Sequence, residues 1–250
     1  MYCRKVIGTI FRQTLTYWKT ILELPCPIVN KTSKFGDAEF STIVQPQGIY
    51  RFSELFFTEF PEAEDMQGKG TKSKIVSKSF SKMDFAFRND KVETDDIKIL
   101  GLSNGKREYK WISAKYIVIP ESFNKWRVII AETNNTGVLG ETLSNPFIGN
   151  PRIAHTDTFL TVGGFDTEFE AIAVLKYIKS KFARLLLGVL KITQHNSRST
   201  WAKVPLQDFT AQSDIDWSKS VPDIDRQLYA KYGLDEGEIA FIEEKVKSME

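Results

Sequence analysis

Gln194, His195, Asn196, Arg198, Thr200, Trp201 and Lys203 fall within ten residues and carry the side-chain groups that bind nucleic acid. Arg and Lys neutralise phosphate, Asn and Gln can pair bidentately with adenine, and Trp can stack on a base or wedge beside it. This run lies in a stretch between Glu170 and Asp208 that has no carboxylate and seven basic side chains: Lys176, Lys179, Lys181, Arg184, Lys191, Arg198 and Lys203. A second basic segment, residues 67–82 (QGKGTKSKIVSKSFSK), holds five lysines, no acid and two glycines. The candidate DNA contacts are therefore Lys72, Lys74, Lys181, Arg184, Lys191, Gln194, Asn196, Arg198, Trp201 and Lys203, with Asn134 or Asn135 as further base readers. The plainer alternative is a solvated loop beside a core tryptophan.

Other constellations imitate enzymes. FLTVGGFDTEFEA has the order strand, double glycine, helix, but it lacks the third glycine and the later acidic residue of a dinucleotide fingerprint. A turn needing positive φ at Gly163 or Gly164 explains it better. Asn145-Pro146-Phe147 resembles part of the tetrapeptide with which amino-methyltransferases hold a flipped base, yet the second proline is missing; a turn is the simpler reading. Pro222-Asp223 with Glu243-Glu244-Lys245 has the wording of a Mg²⁺-dependent nuclease motif, although Glu243 to Lys245 sit in a helical pattern. His155 stands two residues before Asp157, which could orient it, but a structural histidine is the expectation. Cys3, Cys26, His155 and His195 are the only cysteines and histidines, without zinc-ligand spacing.

Around these residues the chain has ordinary globular composition, 42% apolar and 26% charged. Its net charge of +2 conceals segregation: residues 206–250 hold eleven acids against five bases. The N-terminus does not read as a signal peptide and no apolar run reaches transmembrane length, so a cytoplasmic protein without membrane partners is expected.

Residues 7–22 space apolar side chains as an amphipathic helix, and residues 40–60 read as strands or a strand with a short helix around a Pro46-Gln47-Gly48 turn. Strands are expected at Lys74–Val76, Asp96–Leu100, Lys110–Ile112, Tyr116–Ile119, Arg127–Ala131 and Thr158–Val162, with a hairpin turn at Asn104-Gly105. Thr167 and Glu170 form a capping box that starts one long helix through about Lys191. Its buried face would hold Ile172, Leu175, Ile178, Phe182, Leu185 and Val189, leaving Lys181, Arg184 and Lys191 on another arc. Further helices are expected around Asp225–Tyr232, ending at Gly233, and from Asp235, as N-cap with Glu238 at N3, to about Lys247. The fold class is thus mixed α+β: short, mostly antiparallel strands, one long packing helix and a small helical tail. Two lobes are expected, with segments at 1–39 (helix and linker), 40–209 (recognition domain) and 210–250 (acidic tail).

The order of these pieces resembles the C-terminal target-recognition region of Eco57I-type restriction-modification adenine methyltransferases. The matching pieces are Thr158–Gly163, Tyr177–Phe182, Thr193-Gln194, Val204–Phe209 and Tyr229–Glu243. Upstream, Phe40–Phe52, KREYKWISAKYI and KWRVIIAE look like its earlier strands, so the resemblance spans roughly 40–247. It implies a domain that grips double-stranded DNA while a separate catalytic domain or subunit flips and methylates adenine with S-adenosylmethionine. The chain has neither that enzyme's glycine-rich cofactor motif nor its intact N-P-P-Y/F element, so no catalysis and no cofactor are expected in it. The competing expectations are a divergent Mg²⁺-dependent restriction endonuclease and a structural subunit whose basic face meets an acidic protein.

Overall fold

Two small three-stranded sheets and a helical layer organise the computed structural model, which describes residues 25–68, 70–134, 137–191 and 193–249. The expected helix at 7–22 and Asn135 lie outside the described residues. The fold is mixed α+β, as the sequence pattern predicts.

Among the described residues, helix α1 (Pro25–Ser33) leads through a 3-10 turn at Phe40–Ile43 into β1 (Arg51–Phe52) and three short helices. These are α2 (Glu54–Glu59), α3 (Ala63–Gln67) and α4 (Ser79–Lys82). Lys74–Val76 forms no named strand; Lys74 makes only an isolated bridge to Arg51. Strands β2 (Ile97–Ser103) and β3 (Lys106–Ile112) then pair antiparallel from Ile97↔Ile112 to Ser103↔Lys106. Their turn places Asn104 and Gly105 at φ 50° and 74°, the left-handed pair that Asn-Gly favours. After β4 (Ile117–Val118) come β5 (Trp126–Ala131), β6 (Phe147–Gly149), β7 (Ile153–His155) and β8 (Phe159–Phe165). Among the described residues the sheet orders are β3-β2-β7, with β7 parallel to β2, β6-β5-β8, wholly antiparallel, and a two-stranded antiparallel β1-β4 pair.

The expected single long helix is two, α5 (Glu168–Lys179) and α6 (Lys181–Leu190). Ser180 is extended at ψ 147°, ending one helix and capping the next through its hydroxyl and the Ala183 N–H. The Asp225 carboxylate accepts from the first two N–H groups of α6, those of Lys181 and Phe182, at 3.0 and 2.9 Å. The break resets the helical phase: Ile172 is exposed and Arg184 is buried, contrary to the single-helix reading. Both capping boxes, Thr167/Glu170 on α5 and Asp235/Glu238 on the last helix, form as the spacing predicts. That last pair of helices is α7 (Val221–Lys231) and α8 (Glu236–Lys245).

Among the described residues two large hydrophobic cores result, with a small third cluster of Leu100, Ile129 and Phe159 drawn from both sheets. The larger joins Ile28 and Val29 to β5, β8, α5 and α6, and to Ile215, Trp217, Ile224 and Val246 near the C-terminus. Ile28 and Val29, ahead of the expected 39/40 boundary, and the residues from 215 onward, beyond the expected 209/210 boundary, pack into this same core. The smaller core is built by residues 50–123 plus Ala154, with Phe52, Phe56 and Phe87 at its centre. The chain enters and leaves it at neighbouring points, since the Ser122 hydroxyl donates to the Gln45 side-chain carbonyl at 3.2 Å.

Candidate nucleic-acid interface

Five stretches distant in sequence are laced into one polar edge, four of them by backbone hydrogen bonds. The Asp157 N–H donates to Ile75 C=O, the Glu132 N–H to Thr158 C=O, and the Asn196 N–H to Glu132 C=O, at 3.0, 2.8 and 2.7 Å. The Asn134 N–H donates to Gln194 C=O at 2.7 Å, and Thr133 bridges His195. Gln47 joins from the fifth stretch, donating its amide to Asp157 C=O at 3.0 Å. The two basic loops singled out from sequence, 67–82 and 193–203, thus converge through segments 131–134 and 156–158.

Side chains finish the edge. Ser77 Oγ lies 3.0 Å from Thr156 Oγ1 and 2.5 Å from Thr158 Oγ1, while the Leu102 N–H donates to it. Burial pushes the Asp157 carboxyl up against the opposing pull of Lys74, and Glu132 adds to the rise. His195 Nδ1 lies 2.9 Å from the Glu132 carboxylate, with the ring about half exposed. A carboxylate accepts only, so Nδ1 is the donor in this contact, and Nε2 is the ring nitrogen left for a further partner. Gln194 and Lys72 are exposed, and Lys72 adopts φ 55° at a turn. Arg198 is exposed while its Nε donates to Ser41 C=O at 2.8 Å, which fixes one side of the guanidinium and leaves its outer edge toward solvent. Lys74 is half-buried, its stem packed where a Cβ on Gly48 would stand, and Lys203 is half-buried.

The remaining nominated residues do not reach this surface. Arg184 is buried and donates to the carbonyls of Lys179, Gly140, Glu141 and Lys247, so its guanidinium ties α6 to two loops. Its desolvation pulls the pKa down to about 10. Lys191 is buried in an ion pair with Glu141 at 2.5 Å, and Lys181 pairs with Glu243 at 2.5 Å. Asn196 is buried and donates to Ala131 C=O; Trp201 is wholly buried against Phe40, its indole donating to Asn196 C=O. Asn134 is buried too, bonded to Thr142, Glu141 and Ser144. In the folded chain these are scaffold residues. What sequence reasoning missed is the set that laces the edge together, Gln47, Ser77, Glu132 and Thr158, for which no local spacing offered a signal.

The enzyme-like fragments resolve structurally. His155 is buried, its Nδ1 bonded to Thr156 C=O and its Nε2 to Thr161 Oγ1, and desolvation lowers its pKa to about 4. Asp157 does not orient it. Gly163 sits at φ 74° inside β8, as a turn-like kink demands. Asp223 lies in the first turn of α7, bonded to Ser220 and Arg226, whereas Glu243, Glu244 and Lys245 close α8. These groups are not at the ends of adjacent strands, the geometry that shared Mg²⁺ chemistry requires. Among the described residues no helix is long and apolar enough to cross a membrane.

No protein-family model, curated protein or solved structure matches the chain.

Proposed function

We propose that the chain recognises double-stranded DNA through the laced polar edge, as a non-catalytic specificity module working with a methyltransferase catalytic domain or subunit in a restriction-modification system. The observation that carries this reading is the convergence of two basic loops, the lysine-rich 67–82 and the amide-bearing 193–203, on one edge. Lys72 and Lys78 supply exposed cations for phosphate, and Gln194, His195 and Arg198 supply groups suited to base edges. Glu132 and Asp157 face the same edge, but each is set against a partner, His195 or Lys74, which limits their repulsion of phosphate. The resemblance to target-recognition regions supports the assignment of the system and its S-adenosylmethionine-dependent partner.

The test is fluorescence anisotropy on labelled duplexes across a salt series. Binding is expected to weaken steeply, log K falling against log salt by roughly 0.9 per phosphate neutralised. Lys72→Gln should reduce that slope by about one contact. Arg198→Ala should cost about 1–3 kcal/mol on the preferred sequence and less on others. Binding that ignores salt, or no binding to any duplex, overturns the proposal.

A further inference from the structure

The outer face of the β2–β3 hairpin carries a second basic and aromatic surface. Alternation places Arg107, Tyr109 and Trp111 on one face of β3, and the register sets Lys98 opposite Trp111. The Lys98 ammonium lies 4.6 Å from the Tyr109 ring centroid and 5.8 Å from that of Trp111; Lys91 lies 5.7 Å from the latter. Beside Trp111 opens a hollow of about 400 Å³ lined by Lys91, Thr94, Asp96, Lys98, Arg152 and Ile153. Its one carboxylate, Asp96, is engaged by the Arg88 guanidinium and by the N–H groups of Val92 and Glu93. Three cations therefore face the hollow against a neutralised acid. The exposed acids Asp90, Glu93 and Asp95 share the adjoining loop but do not line it.

A lysine between two cross-strand aromatics is an ordinary way to stabilise a hairpin. The gathering of Lys91, Lys98 and Arg152 around one partly exposed indole goes further, because it offers a π-face and a phosphate-binding rim together. The volume is of the size that holds a small ligand. We propose that this hollow binds a nucleotide unit, its base stacked on Trp111 and its phosphate held by Lys91, Lys98 and Arg152. The lysines that now cover the ring are flexible enough to swing aside and keep their charge at the rim. Single-stranded nucleic acid and free nucleotides both present this chemistry. The site goes beyond duplex recognition and is separate from the laced edge.

A fluorophore-labelled twelve-nucleotide single strand, followed by anisotropy, tests the site, with adenosine monophosphate as competitor. The folded full chain should bind the strand. Trp111→Ala should weaken binding roughly ten-fold or more, and Trp111→Phe should retain most of it. Lys98→Gln, at a half-buried site, and Arg152→Gln, at an exposed one, should each lower the salt slope by roughly 0.7. Competition by the mononucleotide identifies a free nucleotide as sufficient ligand; its absence assigns the site to strands. Wild-type strength in folded Trp111→Ala, or unchanged slopes in both charge variants, overturns the proposal. If Trp111→Ala does not fold, the slopes of the two charge variants decide the matter alone. Duplex binding, scored separately with Lys72→Gln, can fail or succeed without deciding this site.

Discussion

Arg184 and Lys72 are both cations in carboxylate-poor sequence, yet they meet opposite fates. Arg184 has four backbone carbonyls to satisfy, three of them from residues more than forty positions away, and that demand draws it inside. Nothing local announces such partners, which is why its burial, like that of Lys191 against Glu141, was not legible from charge pattern alone. Arg184→Met should leave those carbonyls unpaired and lower unfolding free energy by about 3 kcal/mol. Urea denaturation measures the loss, and the duplex salt slope measured on the same folded variant should not change. A lowered slope with intact stability would return Arg184 to the surface.

At the scale of elements, the legible features were those whose chemistry is local. The two capping boxes and the Asn104-Gly105 turn each need only three or four residues, and all three form. The division of the long helix at Ser180 depends on Asp225, a cap supplied from another helix, so periodicity ran straight through it. Burial pushes the Asp225 carboxyl up to about 6 from 3.8, outweighing the N–H donors that favour its charge. Its contribution to stability is therefore complete below about pH 3.8 and lost as pH rises through 6. His155 runs the other way: with its pKa near 4 rather than 6.5, the unfolded chain takes up more protons in that window, and stability falls as pH drops through it. The two slopes oppose each other between about pH 4 and 6. Asp225→Asn removes one of them, and the variant should lose about 3 kcal/mol between pH 6.5 and 4 in urea titrations, more steeply than the parent. A pH profile parallel to the parent's would refute this pairing.

On the scale of the whole molecule, the acidic C-terminal segment read as an appendage, because its charge differs from the body's. Its apolar residues say otherwise. Ile215, Trp217, Ile224, Leu228, Tyr229, Tyr232, Phe241, Ile242 and Val246 all lie in the larger core. At roughly 1.5–3 kcal/mol for each fully buried large side chain, their loss exceeds the stability of an ordinary domain. A chain ending at Phe209 should show no cooperative thermal transition by circular dichroism; a sharp transition would restore the tail to an appendage.

The neighbouring entry and exit of the smaller core, marked by the Ser122–Gln45 hydrogen bond, have a further consequence. Residues 49–123 form an insert whose two ends leave the larger core side by side, while β7 and the 156–158 segment hold it laterally through β2, Ile75 and Ser77. Exchanging or resizing such an insert costs little loop-closure entropy, because its ends already meet. The insert delivers the 67–82 loop to the polar edge, while the 193–203 loop comes from the larger core. Half of the edge can therefore diversify while the other half, and the helices beneath it, stay as they are.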